Sequence, residues 1–370
     1  MTYDLAAAER FYIRNDFVIV LDVFVNNLYF FCITNFTEVL SSHVSVRNYQ
    51  DPVLSSLATE LPEVLIQAKS KGTGKCYKAA FNAWCRWAIT HGCRTLPAQD
   101  TEFSLYLISI IQRVSSPSSV DEAFYAVRWA HELAGCEQNP CASFIVKSVR
   151  EAAHRILGHS VNKKEPVTPE MLQKLVTFFG KSHLLDIRNL TMCLIGFSGF
   201  LRFEELSHLK RSDIVFHEDF LTLFLPSSKT DVYREGNMCY IAKTLSEICP
   251  YSFLRKYLSM GNICDNSDEY IFRSVLYSKN EQCYRLRGSK PISYTRAREC
   301  VLKMFEMIGL DKTKFGLHSL RSGGATAAAN AGIADRLFKR HGRWRSETAK
   351  DGYVKDSTER LLQVSKSLGI

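Results

Sequence analysis

One polar, proline-bearing stretch, Gly158 to Val167 (GHSVNKKEPV), divides this chain and limits the folds that it can adopt. Polar residues with a proline between periodic segments favour a loop over a helix or a strand. Thr168-Pro169-Glu170 follows, an N-cap residue with proline at the first helical position. At 370 residues the chain is long enough for two domains. The sequence therefore predicts a domain at 51–158, a linker at 159–167 and a domain at 168–370, after an extension of unknown role at 1–50.

Apolar periodicity indicates the type of each domain. In the first, Tyr77, Phe81, Trp84 and Ala88 recur at the spacing of one helix face, as expected for a bundle of short helices. The second is mostly helical, with one interlude whose two segments have β-type composition, FLTLFL at 220–225 and MCYI at 238–241. We therefore expect a mainly α fold with a small antiparallel β-sheet, in which a helical domain precedes a mixed α+β domain.

Composition excludes several classes of protein. The net charge of +9 and the pI of about 8.9 are weak indications of a polyanionic partner such as nucleic acid. The 12 cysteines form no CxxC pair, which argues against a zinc site and favours reduced thiols. The sequence contains no acidic metal cluster and no phosphate-binding glycine loop.

The segment from Phe17 to Ile33 (FVIVLDVFVNNLYFFCI) is strongly apolar and aromatic. A membrane helix needs about 20 mostly apolar residues, and an ionised Asp22 near the centre would be costly there. It also lacks the basic start and small-residue cleavage site of a signal peptide. A buried helix or strand, or a non-native extension, is favoured over a membrane span.

Several residues in the second domain suit attack on a phosphodiester. Arginine stays charged and makes paired hydrogen bonds to phosphate oxygens, so Arg202 and Arg321 are candidates to stabilise the negative transition state. Glu205 lies three residues after Arg202 and could hold its rotamer, although a solvated pair is the simpler interpretation. His318 and Arg321 are also three residues apart, so one helical turn would present both.

The remaining candidates supply a nucleophile and protons. Tyr353 is the candidate nucleophile, and His318 is suited to accept its proton or to bind the phosphate. Lys229, beside a strand, could protonate the leaving 5′ oxygen, and Trp344 offers an indole N–H to a phosphate oxygen. A basic cluster surrounds Trp344, and four of its residues are expected to contact the DNA backbone, unless they form a solvated face or an import signal. They are Lys339, Arg340, Arg343 and Arg345.

With these residues in this order, the chain resembles the tyrosine recombinase (phage integrase-like) family. The family's Arg, Lys, His-x-x-Arg, His or Trp, and Tyr are matched by Arg202, Lys229, His318, Arg321, Trp344 and Tyr353. The step of nine residues from Trp344 to Tyr353 also agrees, whereas His341 would lengthen it. The surroundings of Lys229 and the scattered cysteines resemble recombinases of eukaryotic mobile elements.

The resemblance implies that Tyr353 attacks DNA to form a 3′-phosphotyrosine and a free 5′ hydroxyl, and that a second strand then reseals the break without metal or nucleotide cofactor. It implies a helical core-binding (SAM-like) domain at 51–158 and a catalytic domain with a C-terminal tail helix at 168–370, which together clamp double-stranded DNA. It also implies a homotetramer on two duplexes, in which the tail at 358–368 docks on a neighbouring protomer or on its own domain. The expected compartment is the nucleus, or the cytoplasm of a prokaryote.

Two other functions remain compatible with the same residues. A catalytically inactive, domesticated protein of this fold would bind DNA without cutting it. A type IB topoisomerase would share the chemistry and would need no partner duplex. A basic helical scaffold unrelated to nucleic acid is disfavoured, because it would leave the order of the six residues unexplained.

Overall fold

A computed structural model describes Val39 and residues 49–159, 163–228, 231, 233, 235–265 and 267–368. Its internal contacts divide the chain into two compact units, 1–161 and 162–370. The boundary lies inside the stretch that the sequence suggests as a linker. Each unit has its own hydrophobic core.

The first unit contains helices and no strand among its described residues. Its helices are α1 (Pro52–Gln67), α2 (Lys71–Thr90), α3 (Asp100–Ile111), α4 (Ser118–Leu133) and α5 (Phe144–Ile156), with a 3-10 turn at Pro140–Ala142. The core packs Phe81 and Trp84 of α2 against Phe103 and Leu107 of α3, each 0% exposed. Val39, upstream of the predicted domain start, is also buried in this core. None of the residues of α1, all of which the structure describes, is buried.

The second unit combines helices with two small sheets. Its helices are α6 (Pro169–Phe179), α7 (Leu184–Ser198), α8 (Phe203–Ser207), α9 (Pro250–Met260), α10 (Tyr294–Met307), α11 (His318–Asn330), α12 (Asp335–Gly342), α13 (Glu347–Asp351) and α14 (Thr358–Lys366). Its strands are β1 (Ile214–Phe216), β2 (Phe220–Leu225), β3 (Asn237–Ala242), β4 (Arg273–Ser278) and β5 (Cys283–Pro291). Thr168 caps α6 by accepting a hydrogen bond from the Met171 amide, and Pro169 begins the helix, as predicted.

Both sheets are antiparallel. The first has the order β1-β2-β3, with Leu221 opposite Ile241. Leu221, Leu223 and Leu225 alternate with less buried residues and face the core, which fixes the register of β2. The predicted mainly α fold with a small antiparallel sheet is confirmed, but the second sheet, the β4–β5 hairpin, was not anticipated.

Glycines allow α11 to approach its neighbours closely. A Cβ atom at Gly324 would lie 2.1 Å from the Phe197 carbonyl oxygen of α7, and one at Gly323 would lie 2.2 Å from the Val167 carbonyl oxygen. The Val167 amide also donates to the Ser319 carbonyl oxygen over 2.9 Å. This packing fixes the start of α11, and with it His318 and Arg321, against the end of α7.

No helix among the described residues is long and apolar enough to cross a membrane. The apolar segment Phe17–Ile33 lies outside the described residues.

Candidate active site

Arg202 and Glu205 form the first part of the site. The chain leaves α7 through a turn in which Phe200 has a φ of 47°, and Arg202 is the N-cap residue of α8. Arg202 Nη1 donates to Glu205 Oε1 over 2.8 Å, and the Arg202 amide donates to Oε2 over 2.9 Å. The carboxylate therefore fixes both the backbone and the guanidinium of Arg202, the contact that the i,i+3 spacing suggested.

Glu205 is the centre of a buried cluster of arginines. Its side chain is 2% exposed, and Oε2 also accepts a hydrogen bond from Arg343 Nη2 over 2.9 Å. Arg321 Nη1 lies 4.0 Å from the same oxygen. Burial acts to raise the pKa of Glu205, but Arg343 and Arg202 outweigh it and hold that pKa below its usual range. Glu205 is thus ionised at neutral pH and partly balances three guanidinium groups.

Arg321 lies at the bottom of the site with a side chain that is 0% exposed. Its Nη1 donates to the Phe200 carbonyl oxygen, and its Nη2 donates to the Gly342 carbonyl oxygen over 2.7 Å. Burial, together with the charges of Arg202 and Arg343, lowers the pKa of Arg321 to about 10. Arg321 therefore remains a cation at neutral pH.

Two aromatic rings lie over Arg321. The centre of the Trp344 ring is 4.8 Å and that of the Tyr353 ring 4.9 Å from the guanidinium carbon, and the two rings are 5.6 Å apart. Trp344 is 5% exposed and packs on Phe200 and Phe338. The indole also lies on Gly342, where an added Cβ would be 1.8 Å from a ring carbon. The short helix α13 lies between Trp344 and Tyr353.

His318 and Lys229 are placed differently. His318 is exposed and begins α11, one turn before the buried Arg321. The two therefore share a helix end, with the histidine toward solvent. Lys229 lies outside the described residues.

The four residues of the predicted DNA-contacting cluster line one cavity but differ in exposure. Arg340 and Arg345 are exposed, and with Arg336 they line an open cavity of about 390 Å³ beside Trp344. Lys339 is partly exposed, but it is paired with Glu347 over 2.6 Å. The expectation that Arg343 contacts the DNA backbone needs correction. Its side chain is only 3% exposed and is paired with Glu205. A basic run in a sequence does not reveal which member the backbone turns inward.

Two groups that form the buried arginine cluster were not predicted from the sequence. One is Arg343 as a partner of Glu205, and the other is the Phe200 carbonyl oxygen, which accepts from both Arg321 and Arg343. Neither contact has a local signal, because residues more than 100 positions apart make them. Among the described residues, no group of His, Cys, Asp and Glu could hold a metal ion.

The arrangement joins a phenol to buried cations. Guanidinium groups fixed in this way can stabilise negative charge that develops on phosphate oxygens, and the phenol can act as a nucleophile. The chemistry suited to these groups is transesterification of a phosphodiester.

Comparison with known proteins gives consistent matches. The phage integrase family matches residues 165–360. An integrase/recombinase xerD homolog of Selenomonas ruminantium is 26% identical over 320 residues, which cover 86% of this chain and 91% of the relative.

Solved structures show a related fold at low identity. XerH recombinase bound to a palindromic difH substrate, in a post-cleavage complex, superposes with a TM-score of 0.60 at 14% identity, over 91% of this chain and 98% of that one. The Tn1549 transposon integrase in complex with circular intermediate DNA gives a TM-score of 0.51 at 13% identity, over 90% and 99%.

Proposed function

The chain belongs to the phage integrase family, and on that basis we propose that it is a site-specific DNA recombinase that cuts and rejoins strands through a 3′-phosphotyrosine at Tyr353. One observation carries the assignment of the site. Arg321 lies below the rings of Tyr353 and Trp344, and through Phe200 and Glu205 it belongs to the same buried cluster as Arg202. Residues from distant parts of the chain thus meet at the proposed nucleophile.

The proposed reaction is a pair of transesterifications. The Tyr353 oxygen attacks the phosphorus and forms a bond to it as the bond to the 5′ oxygen breaks. The phenol proton passes to a base, for which His318 is the candidate, and the 5′ oxygen gains a proton, for which Lys229 is the candidate donor. A 5′ hydroxyl of another strand then attacks the phosphotyrosine and releases Tyr353. Because every phosphodiester lost is replaced by another ester, no external energy source is needed.

Binding of the scissile phosphate requires a rearrangement of this cluster. Both Nη atoms of Arg321 donate to main-chain oxygens, and two rings cover the guanidinium. In this proposal the Tyr353 ring moves off Arg321 when the phosphate binds. That movement would also bring the phenol oxygen to the phosphorus, so the same motion would expose the cation and place the nucleophile.

We propose duplex DNA contacts in both units. Next to the active site, exposed Arg340 and Arg345 are the candidates for binding backbone phosphates. In the first unit the corresponding candidates lie on α2, which contains no acidic residue and exposes four cations at spacings of one helix face. They are Lys71, Lys75, Lys78 and Arg86. Replacing Lys75 and Lys78 with glutamine should lower the slope of log DNA affinity against log salt concentration by an amount that corresponds to about two phosphate contacts. An unchanged slope would exclude α2 from the DNA-binding surface.

A homotetramer on two duplexes is the proposed assembly. Leu361, Leu362 and Val364 of the tail helix α14 are all exposed, at 61, 46 and 70%. No residue of α14, which is described throughout, is buried in its own unit, which favours docking on a neighbouring protomer. Removal of residues 357–370 should leave a protein that binds one DNA site but no longer assembles on two, measured by light scattering. Assembly that persists would show that the tail is not needed.

The cellular compartment is inferred from the location of the proposed DNA substrate. A recombinase acts where chromosomal or element DNA lies, and the bacterial source of the xerD homolog favours a prokaryotic cytoplasm. The nucleus and a eukaryotic mobile element, expected from the sequence, gain no support from this relative.

The test of the proposed function is a covalent trap. Duplexes selected for binding from a random-sequence pool are nicked close to the cleavage position, so that the short 5′ product diffuses away and religation fails. We expect a protein–DNA adduct that survives detergent with the wild-type protein and is absent with Tyr353→Phe, at equal DNA affinity. Tight binding without an adduct from the wild-type protein would instead support the inactive DNA-binding alternative. Relaxation of supercoiled DNA by the protein alone would support topoisomerase activity.

A further inference from the structure

Arg343 is a buried arginine in a backbone conformation that favours glycine. It has φ 57° and ψ 37° at the end of α12, in the left-handed region where a side chain meets a steric cost. Its side chain is nevertheless only 3% exposed, whereas Arg340 and Arg345, which line the same cavity, are exposed. An arginine at such a position has to be held by contacts that outweigh the cost of its conformation.

The contacts are four hydrogen bonds from one guanidinium. Nη1 donates to the carbonyl oxygens of Gly199 (3.1 Å) and His341 (2.7 Å). Nη2 donates to the Phe200 carbonyl oxygen and to Glu205 Oε2, both over 2.9 Å. Arg343 thus joins the turn that precedes Arg202 to the turn that precedes Trp344.

These acceptors also serve the two arginines assigned to the phosphate. Glu205 holds Arg202 through Nη1 and through the backbone amide, and the Phe200 carbonyl oxygen accepts from Arg321. Arg343 is the largest of the charged influences that favour ionised Glu205 against its burial, which otherwise raises the pKa of this carboxyl group. Loss of Arg343 would therefore remove the guanidinium that joins Glu205 to the Phe200 carbonyl oxygen, and with it a constraint on the positions of Arg202 and Arg321.

We infer that Arg343 is a positioning residue for strand cleavage, which fixes Glu205 and the Phe200 carbonyl oxygen and so holds Arg202 and Arg321 in place, without touching DNA. The inference rests on the proposed function, since it assigns Arg343 a role in that reaction. It differs from the role that the basic sequence around Trp344 suggested, which was contact with the DNA backbone.

The substitution Arg343→Gly separates the side chain from the backbone turn. Glycine adopts the left-handed conformation readily, so the turn before Trp344 is retained while the four hydrogen bonds are lost. We expect DNA affinity within about 2-fold of wild type, and adduct formation at saturating DNA slower by about 100-fold, the effect of a small misplacement of catalytic groups. Arg343→Lys keeps a charge but cannot reach four oxygens, so it should be intermediate.

The matched control is Arg188→Gly. Arg188 is a buried arginine of the same unit, 1% exposed, which donates to Asn189 and to the Arg273 carbonyl oxygen. Guanidinium chloride at millimolar, non-denaturing concentration should restore cleavage by Arg343→Gly in part, because the free ion can occupy the vacated position. It should not change the rate of Arg188→Gly. A wild-type cleavage rate in Arg343→Gly would overturn the inference. It would also be overturned if both variants lost the same fraction of the cleavage rate and guanidinium restored neither.

A second measurement does not depend on activity. If Arg343 acts through Glu205, Arg343→Gly should lower the Tm clearly less in a Glu205→Gln background than in the wild-type protein. Additive Tm shifts would show that the two residues are not coupled and would overturn the inference even in a protein that forms no adduct. Failure of the proposed function is recognised separately, by the absence of an adduct from the wild-type protein on the same gel.

Discussion

The guanidinium of Arg321 lies 4.9 Å from the centre of the Tyr353 ring, although 32 positions separate the two residues in the sequence. A cation at this distance attracts the face of an aromatic ring, and the attraction strengthens when water is excluded. The contact therefore holds the proposed nucleophile next to a charge that could stabilise a phosphate. In the proposed reaction, DNA binding would replace this contact before cleavage.

Arg321→Lys is the first prediction. A lysine ammonium group cannot donate to the Phe200 and Gly342 carbonyl oxygens in the geometry of the guanidinium, so the variant should lose the fixed charge at the phosphate. Cleavage should slow by roughly 10²- to 10³-fold, with DNA affinity changed by less than about 3-fold. Single-turnover adduct formation at saturating DNA measures this.

Arg345→Gln provides the contrast. Arg345 is exposed, so its loss should weaken binding and leave the rate at saturation unchanged. Equal losses of affinity and rate in Arg321→Lys would reduce Arg321 to an ordinary backbone contact.

The second prediction concerns Lys229. If it protonates the 5′ oxygen, Lys229→Ala should cleave ordinary DNA slowly but should recover on DNA whose bridging 5′ oxygen is replaced by sulfur. A thiol with a pKa of about 8.5 leaves without a proton, whereas an alcohol does not. The ratio of cleavage rates on the two DNAs, compared between the wild-type protein and Lys229→Ala, measures the effect. An identical ratio in both proteins would assign the proton to another group.

The third prediction is a pH dependence in the first unit. His131 is 0% exposed; its Nδ1 donates to the Val127 carbonyl oxygen over 2.7 Å, and its Nε2 accepts from the Ala98 amide over 2.9 Å. Burial lowers the pKa of His131 from 6.5 to about 4, so in this range the unfolded chain binds the proton first. The neutral histidine therefore contributes stability that is fully present above pH 6.5 and is lost as the pH falls toward 4.

Between about pH 7.5 and about pH 5 this loss should amount to about 2 kcal/mol of unfolding free energy. Urea unfolding followed by tryptophan fluorescence suits the measurement, because Trp84, Trp87 and Trp129 of the 4 tryptophans lie in this unit. The pH-dependent loss should be much smaller in His131→Gln, and unchanged in His159→Gln, which alters an exposed histidine of the same unit. The same pH-dependent loss in His131→Gln as in wild type would mean that other groups cause it.

Particular residues show how far the sequence could predict this molecule. The helix start at Thr168, the strand at 220–225 and the pairing of Arg202 with Glu205 depend on neighbours within a few positions, so local patterns indicated them. The β4–β5 hairpin was missed because the apolar alternation of β5 (CYRLRGSKP) is short, with Tyr284 and Leu286 toward the core, and the rest of the strand is mostly exposed. The burial of Arg343 depends on Glu205, 138 positions away, and on one left-handed residue, which no local pattern encodes.

The last prediction tests the close packing that holds α11 in place. In Gly324→Ala the new methyl group would lie 2.1 Å from the backbone oxygen of Phe197 and 2.7 Å from ring carbons of Phe200. A backbone atom cannot move aside as the end of a side chain can, so α11 would have to shift away from α7, at a cost of about 3 kcal/mol or more. Gly316→Ala is the control, since nothing lies within 4 Å of a Cβ atom there, and its effect should stay within about 0.5 kcal/mol. Chemical denaturation measures the unfolding free energy of the two variants.

Equal stability of Gly324→Ala and Gly316→Ala would mean that α11 and α7 lie farther apart than the structure shows. The position of Arg321 against the Phe200 carbonyl oxygen would then not depend on this contact.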